Sequence, residues 1–201
     1  VVSVRIYVPY GNLTPAQMRA IAAAARAAGT PVLRLLAAQD LALPVVHRSA
    51  LKALHARLAR ELADLDFAVA SYRGHIVSCV GATVCKIGMA DAPAVADALA
   101  AELDGSLPPD TPERLALFRL VTDGVRVSGC PNACSGHPAA RVGVGCVNQR
   151  VGEEVRPFAR VLTGARAEGP VPQLCDCESA LMPAAEAAHA AAAACRAAVG
   201  A

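Results

Sequence analysis

SCVGATVCKIG at residues 78–88 and VSGCPNACSGH at residues 127–137 decide how this chain is read. They carry two cysteine pairs, Cys79-x5-Cys85 and Cys130-x3-Cys134, with residues 86–129 between them. Gly81, Gly88, Gly129 and Pro131 sit beside the thiols. Four thiolates on loops of small residues suit a cubane iron–sulfur cluster. Such a group needs sulfurs aimed at one centre and backbone amides free to donate to its sulfides. The spacing is neither a simple ferredoxin run nor a pair of CxxC zinc knuckles. A zinc site and unpaired core thiols are the plainer alternatives, and the two matched strings with their glycines favour the cluster.

Around these loops the pattern alternates strand and helix. Residues 2–8 read as a strand closed by a turn at Pro9–Asn12. Thr14 as N-cap, Pro15 at the first helical position and Gly29 as a stop predict a helix over 15–28. A strand at 32–37 follows, then a helix over 50–62 capped by Ser49, with Leu51, Leu54, Leu58 and Leu62 on one face. Residues 66–70 add a strand. A short strand at 75–79 runs into the first cysteine loop, and a helix spans 92–103. A Pro-rich loop follows at 107–112, and residues 115–121 fit helix or strand equally. Strands at 124–128 and 141–147 flank the second cysteine loop, and 155–162 is a further strand. An Ala-rich helix over 179–198 closes the chain. Both cysteine pairs thus fall on loops at strand ends, where α/β sheets gather binding residues.

Composition narrows the class. The 201 residues suffice for a real core, and apolar residues make up 55%, with alanine prominent and aromatics only 3%. A net charge of +2 gives no case for nucleic acid or for an acidic partner. No apolar run reaches the roughly 18 residues of a membrane span, and the N-terminus does not read as a signal peptide. The expectation is a cytoplasmic protein with reduced thiols, since disulfide scaffolds are shorter and poorer in core than this. Starting at Val1, the chain reads as a domain excised from, or processed out of, a longer protein.

The cysteine strings resemble the signature of the nitrite/sulfite reductase family. SGCPNAC at 128–134 matches its second pair throughout, and His137 and Gly143 fall where that family often has histidine and glycine. Gly152–Glu153, Val155 and residues 161–164 look like its closing strand. Upstream, VRIYVPYGNLTPAQMRAIA (4–22) resembles the start of its ferredoxin-like half-domain, and RLLAAQ (34–39) its R-L-T-x-x-Q strand. The resemblance covers roughly residues 4–165. It implies an α/β (α+β) fold with a ferredoxin-like half-domain at 1–66, a siroheme and [4Fe-4S] domain at 67–178 and a terminal helix at 179–201.

The resemblance also implies roles. Cys79, Cys85, Cys130 and Cys134 become ligands of a [4Fe-4S] cluster, and Cys134 additionally bridges to siroheme iron. Asn132 and Gln39 become cofactor contacts, and Arg34 and Lys86 bind the anionic substrate, sulfite or nitrite. Arg73 and Arg141 are weaker cationic candidates. An electron-donor protein or reductase subunit is implied as partner, with a second half-domain or a second copy completing the site. Three departures stand out: Leu36 replaces the family's threonine, Arg141 stands where an acid is common, and only two lysines, Lys52 and Lys86, are present. A precorrin-3B synthase-like enzyme shares the cysteine spacing, although that branch usually has lysine where Asn132 stands. A cluster-only electron-transfer module is the non-enzymatic alternative. Cys146, Cys175, Cys177 and Cys195 follow no ferredoxin spacing.

Overall fold

The buried carboxylate of Asp40 organises the first of two units, Val1–Gly74. It accepts Arg5 Nε at 2.7 Å and Nη2 at 2.6 Å, and the Val8 N–H at 2.7 Å. This ties the turn before strand β3 (Leu41–Val46) to strand β1 (Val2–Ile6) and the residues that follow it. The computed structural model describes residues 1–65, 71–108, 110–122, 124–166 and 172–200, so the strand expected at 66–70 lies outside the described residues.

Three antiparallel strands order as β1-β3-β2 in this unit, with β2 only Arg34–Leu35. The strand expected at 32–37 contracts because the chain folds back at once. Leu36 N–H donates to Asp40 O at 2.9 Å, and Gln39, at φ 70°, donates to Leu36 O at 3.0 Å. The central strand β3 is absent from the sequence reading, because Pro44 interrupts an otherwise apolar run. It is accommodated by an irregularity: Val2 and Val4 face Val46 and Leu43, one extra residue on the β3 side. A bulge is where a sheet tolerates proline.

Helix α1 (Pro15–Ala27) starts as expected. Thr14 Oγ1 accepts the Gln17 N–H at 3.2 Å while Gln17 Oε1 accepts the Thr14 N–H at 2.7 Å, a capping box. Helix α2 (Leu51–Glu61) buries Leu54 and Leu58 against Ile6, Ile21 and Leu43. Ser49 does not cap it. The helix is led in by a 3-10 turn, Arg48–Ala50, and the Ser49 hydroxyl lies 2.8 Å from His47 Nδ1.

The second unit, His75–Ala201, is a mixed sheet. Strands β4 (Val77–Ser78), β5 (Val125–Ser128) and β6 (Val142–Val151) run parallel and adjacent. Strand β7 (Glu154–Thr163) returns antiparallel to β6, and β8 (Cys177–Glu178) and β9 (Met182–Pro183) both pair with β7. Helices α3 (Ala92–Asp104) and α4 (Pro112–Val121) make the crossover between β4 and β5, which settles residues 115–121 as helix. Helix α5 is Ala187–Val199, eight residues shorter at its start than the alanine pattern predicts, because Cys177–Glu178 and Met182–Pro183 are held as edge strands on β7. It packs on β6, β7, α3 and α4. Among the described residues no helix is long and apolar enough to cross a membrane.

The β5-to-β6 connection is the tightest in the unit. Two parallel neighbours joined by residues 129–141 leave no room for a full helix, so the return segment lies flat on one face of the sheet. The alternation Val142-Gly143-Val144-Gly145 answers this. The valines turn into the helix-covered core, while the glycines face the return segment. A Cβ on Gly143 would come within 2.1 Å of the His137 carbonyl oxygen, and one on Gly145 within 2.5 Å of His137 Nε2.

Two measurements check these contacts. Asp40→Ala removes the buried carboxylate that receives Arg5 and the Val8 N–H, so urea denaturation should show a loss of about 3 kcal/mol. Cys195, buried on α5, has its thiol pKa pushed from 9.0 to about 12, chiefly by burial, with Arg196 opposing. The unfolded chain therefore releases this proton first, and stability should fall from about pH 9 upward. The limiting slope is about 1.4 kcal/mol per pH unit for the one proton, and Cys195→Ala should remove that part of the slope.

Candidate metal centre

Parallel pairing of β4 with β5 sets the carboxyl ends of both strands side by side, and each runs directly into a cysteine loop. Cys79 still belongs to the ladder, its N–H donating to Val127 O at 3.1 Å. The chain then coils. Gly81 takes φ 66°, Cys85 N–H returns to Gly81 O at 2.9 Å, and Gly88 N–H to Cys85 O at 3.0 Å. The end of the loop is clamped to the second string, where Met89 and Ala90 N–H both donate to Gly129 O at 2.8 and 3.0 Å. Asp91 caps α3 immediately afterwards, its carboxylate accepting the Ala94 N–H.

The second loop starts at this clamp. Gly129 N–H donates to Cys79 Sγ at 3.1 Å, a contact of the kind that stabilises a thiolate in a cluster. Cys130 is buried, Cys79 and Cys85 are half-buried, and Cys134 is exposed. Ala133, just before Cys134, is held at φ 56°, where a side chain costs roughly 1–2 kcal/mol. The loop closes with Gly136 N–H on Ala133 O at 2.7 Å. Behind it, Ser128 and Ser135, both buried, bring their hydroxyls to 2.6 Å, and Arg126 Nη1 donates to Ser135 O at 3.1 Å.

Cys146 lies close to this ensemble. Its thiol pKa is raised from 9.0 to about 11, by burial first and then by the charges of Cys79 and Cys130. The Gly129 N–H on Cys79 Sγ places Cys130, the next residue, beside the first cysteine loop. His137 is buried and its Nδ1 has no hydrogen-bond partner; burial lowers its pKa, with the Glu178 charge opposing. Cys175 N–H donates to Pro138 O at 2.8 Å, which brings the Cys175–Cys177 segment against the turn behind Cys134. The Cys175 thiol is pushed up by burial and by Glu178 and Asp176.

The remaining residues singled out in the sequence fall as follows. Lys86 is exposed on the first loop and Asn132 on the second. Arg34 is exposed on β2, and Gln39 lines an apolar cavity of about 580 Å³ with Leu33, Leu35 and Leu36, both in the first unit. Arg73 stands over the Tyr10 ring, 5.9 Å from its centroid. Lys52 is on α2. Sequence reasoning assigned no role to Arg126, Ser128 or Ser135, and it set Cys146 apart from the two cysteine pairs. The signal for the serines was their position, one before and one after the two cysteines.

The residues fit a cluster by their donor chemistry: four thiols on two clamped loops, one already receiving an amide. The cradle is glycine-built, since a Cβ would fall 2.6 Å from Ala92 N at Gly81, 2.7 Å from Ala82 N at Gly88 and 2.5 Å from Ala90 O at Gly129. Among the described residues no three histidine, cysteine or acidic side chains converge on a single-ion site. A four-iron group asks for something else, one thiolate on each of four corners.

Residues 1–61 match the nitrite/sulfite reductase ferredoxin-like half domain. The chloroplastic ferredoxin–nitrite reductase of Zea mays is 29% identical over 164 residues, 81% of this chain and 27% of that protein. The sulfite reductase [NADPH] hemoprotein beta-component of Aeromonas hydrophila is 33% identical over 113 residues, 55% of this chain and 18% of that protein. The chain is thus similar to nitrite and sulfite reductases, and its first 61 residues match their ferredoxin-like half domain. It shares its fold with the NirA protein of Mycobacterium tuberculosis, at TM-score 0.69 and 18% identity over 93% of this chain and 33% of that one. Dissimilatory sulfite reductase I (DsrI) gives TM-score 0.64 and 14% identity, over 90% of this chain and 57% of that one. The chain thus spans little more than a quarter of the length of these curated relatives at most.

The clamp offers a direct check. Gly129→Ala should destabilise the protein by about 2 kcal/mol in chemical denaturation, because its methyl meets a backbone oxygen that cannot swing away.

Proposed function

We propose that this chain is the cluster-bearing part of a siroheme- and [4Fe-4S]-dependent oxidoreductase that reduces sulfite to sulfide or nitrite to ammonia. The observation that carries the reading is the joining of the two cysteine loops by parallel strands, with the Gly129 N–H on Cys79 Sγ at 3.1 Å. Cys79, Cys85, Cys130 and Cys134 would hold the cluster, and Cys134, the exposed one, would also meet siroheme iron. When bound, these groups supply single electrons at the point where a small oxyanion is reduced.

The chain's own residues do the rest of the work. Clamped loops keep the four thiols in place, so that little reorganisation accompanies a change of charge. The amide of Gly129 offsets negative charge on Cys79. Asn132 presents its amide at the exposed end of the second loop, and Lys86 places a cation beside Cys85. Arg34 and Gln39 are the proposed contacts of the first unit with anion and cofactor. With only two lysines in the chain, the cationic part of the site is proposed to be completed by a second half-domain or a second copy. The electron donor is proposed to be a separate protein or reductase subunit, and the compartment the cytoplasm.

Anaerobic reconstitution with iron and sulfide tests this directly. Four iron and four acid-labile sulfide per chain are expected as an order of magnitude for one cubane, about four of each. Cys79→Ser and Cys130→Ser should abolish uptake. Addition of siroheme should then give its absorption bands, and reduced viologen should be oxidised with sulfite or nitrite. A cluster without siroheme uptake would instead leave an electron-transfer module, and absence of iron and sulfide in the wild type would end the proposal.

A further inference from the structure

A cluster held by four thiolates becomes more negative on reduction, so a cation fixed near it favours the reduced state. Net charge, hydrogen bonds to sulfur and exposure are what set such potentials. Lys86 is a poor candidate for this, since it is exposed and its charge is screened by water. Arg126 is placed differently. It lies on β5 two residues before Ser128, hence on the same face, and is half-buried there.

Three features deliver its guanidinium to the Cys134 end of the loop. Nη1 donates to the carbonyl of Ser135, the residue that follows Cys134, at 3.1 Å. Gly136, in the left-handed region at φ 76°, leaves the space the guanidinium fills, since a Cβ there would be 2.9 Å from Nη1. The strand partner of Arg126 on β6 is Gly143, which has no side chain to obstruct it. Ser135 is itself held, its hydroxyl 2.6 Å from Ser128 Oγ and its N–H donating to the same oxygen at 3.4 Å. Both serines are buried, so the carbonyl that receives Arg126 has little freedom to turn away.

We infer that Arg126 is the fixed cation that sets the reduction potential of the cluster bound by Cys79, Cys85, Cys130 and Cys134. The inference rests on the cluster reading above. Arg126 acts through charge and touches no substrate, so it is a positioning residue. Its charge sits in a half-buried groove, where salt screens it less than it screens Lys86.

The test is a spectroelectrochemical titration of the anaerobically reconstituted full chain, comparing wild type with R126Q, R126K and S128A. R126Q keeps a donor for the Ser135 carbonyl and removes the charge. Its reduced-to-oxidised ratio at a fixed potential should fall about tenfold, a midpoint shift of about 59 mV to more negative values for one electron. R126K retains the charge and should stay within about threefold of wild type, about half that shift. S128A loosens the brace while keeping the charge and should also stay close. A midpoint unchanged in R126Q overturns the inference. So does a tenfold shift in R126K or S128A, which would make loop geometry the cause. If R126Q fails to load a cluster, R126K and S128A still decide by that same criterion. A wild type that takes up no iron and sulfide overturns the cluster reading, and this inference with it. A wild type that loads while R126Q titrates like it overturns this inference alone.

Discussion

The close approach of Gly129 to the first cysteine loop is the constraint on which the arrangement of the two cysteine loops depends. At one residue the backbone does three things. Its carbonyl takes two amides from Met89 and Ala90, its N–H reaches Cys79 Sγ, and its missing side chain admits the Ala90 carbonyl. None of this is possible unless β4 and β5 are parallel neighbours, so that their ends arrive together. Helices α3 and α4 make that arrangement possible by returning the chain over one face of the sheet.

The two faces of the second sheet are consequently unlike. Val125, Val127, Val142 and Val144 are buried on one, beneath helices. The other carries Arg126, Ser128, Gly143 and Gly145, over which the segment from Cys130 to Ala139 is laid. Arg126 and Ser128 thereby share one face with the return segment, while the valines of β5 and β6 supply the apolar core on the other. The cost is a shallow polar layer in which each group must find a partner, and His137 Nδ1 is the one buried side-chain atom left without one among the described residues.

Much of this was legible before the structure. Thr14 and Pro15 announce α1 because N-capping is a local device, and Gln17 completes the cap in the structure. The glycines beside the cysteines announce the two loops, because glycine weakens helix and strand alike. What could not be read depended on distant partners. Strand β3 is invisible locally because Pro44 breaks its pattern, and only pairing on both sides holds it. Helix α5 looks longer in sequence because alanine is permitted throughout 184–199, while strand pairing at Met182–Pro183 decides where the helix can begin. Arg126 looks like any strand arginine until Gly136 and Ser135 are seen folded back over it. Ser49 was a fair cap by residue type, yet a 3-10 turn occupies its place.

The alanine face of α5 has a consequence for how this domain can change. Ala187, Ala188, Ala191 and Ala192 are buried against the sheet and the neighbouring helices, so α5 brings only small side chains to its side of the layer. Such a layer has almost no volume to lose and no slack in which to gain any. In most cores drift proceeds by trimming and refilling. Here a change to a larger residue must lift the whole helix, so the rear of the domain is frozen in size while the loops at its front remain free to vary between their glycines and cysteines.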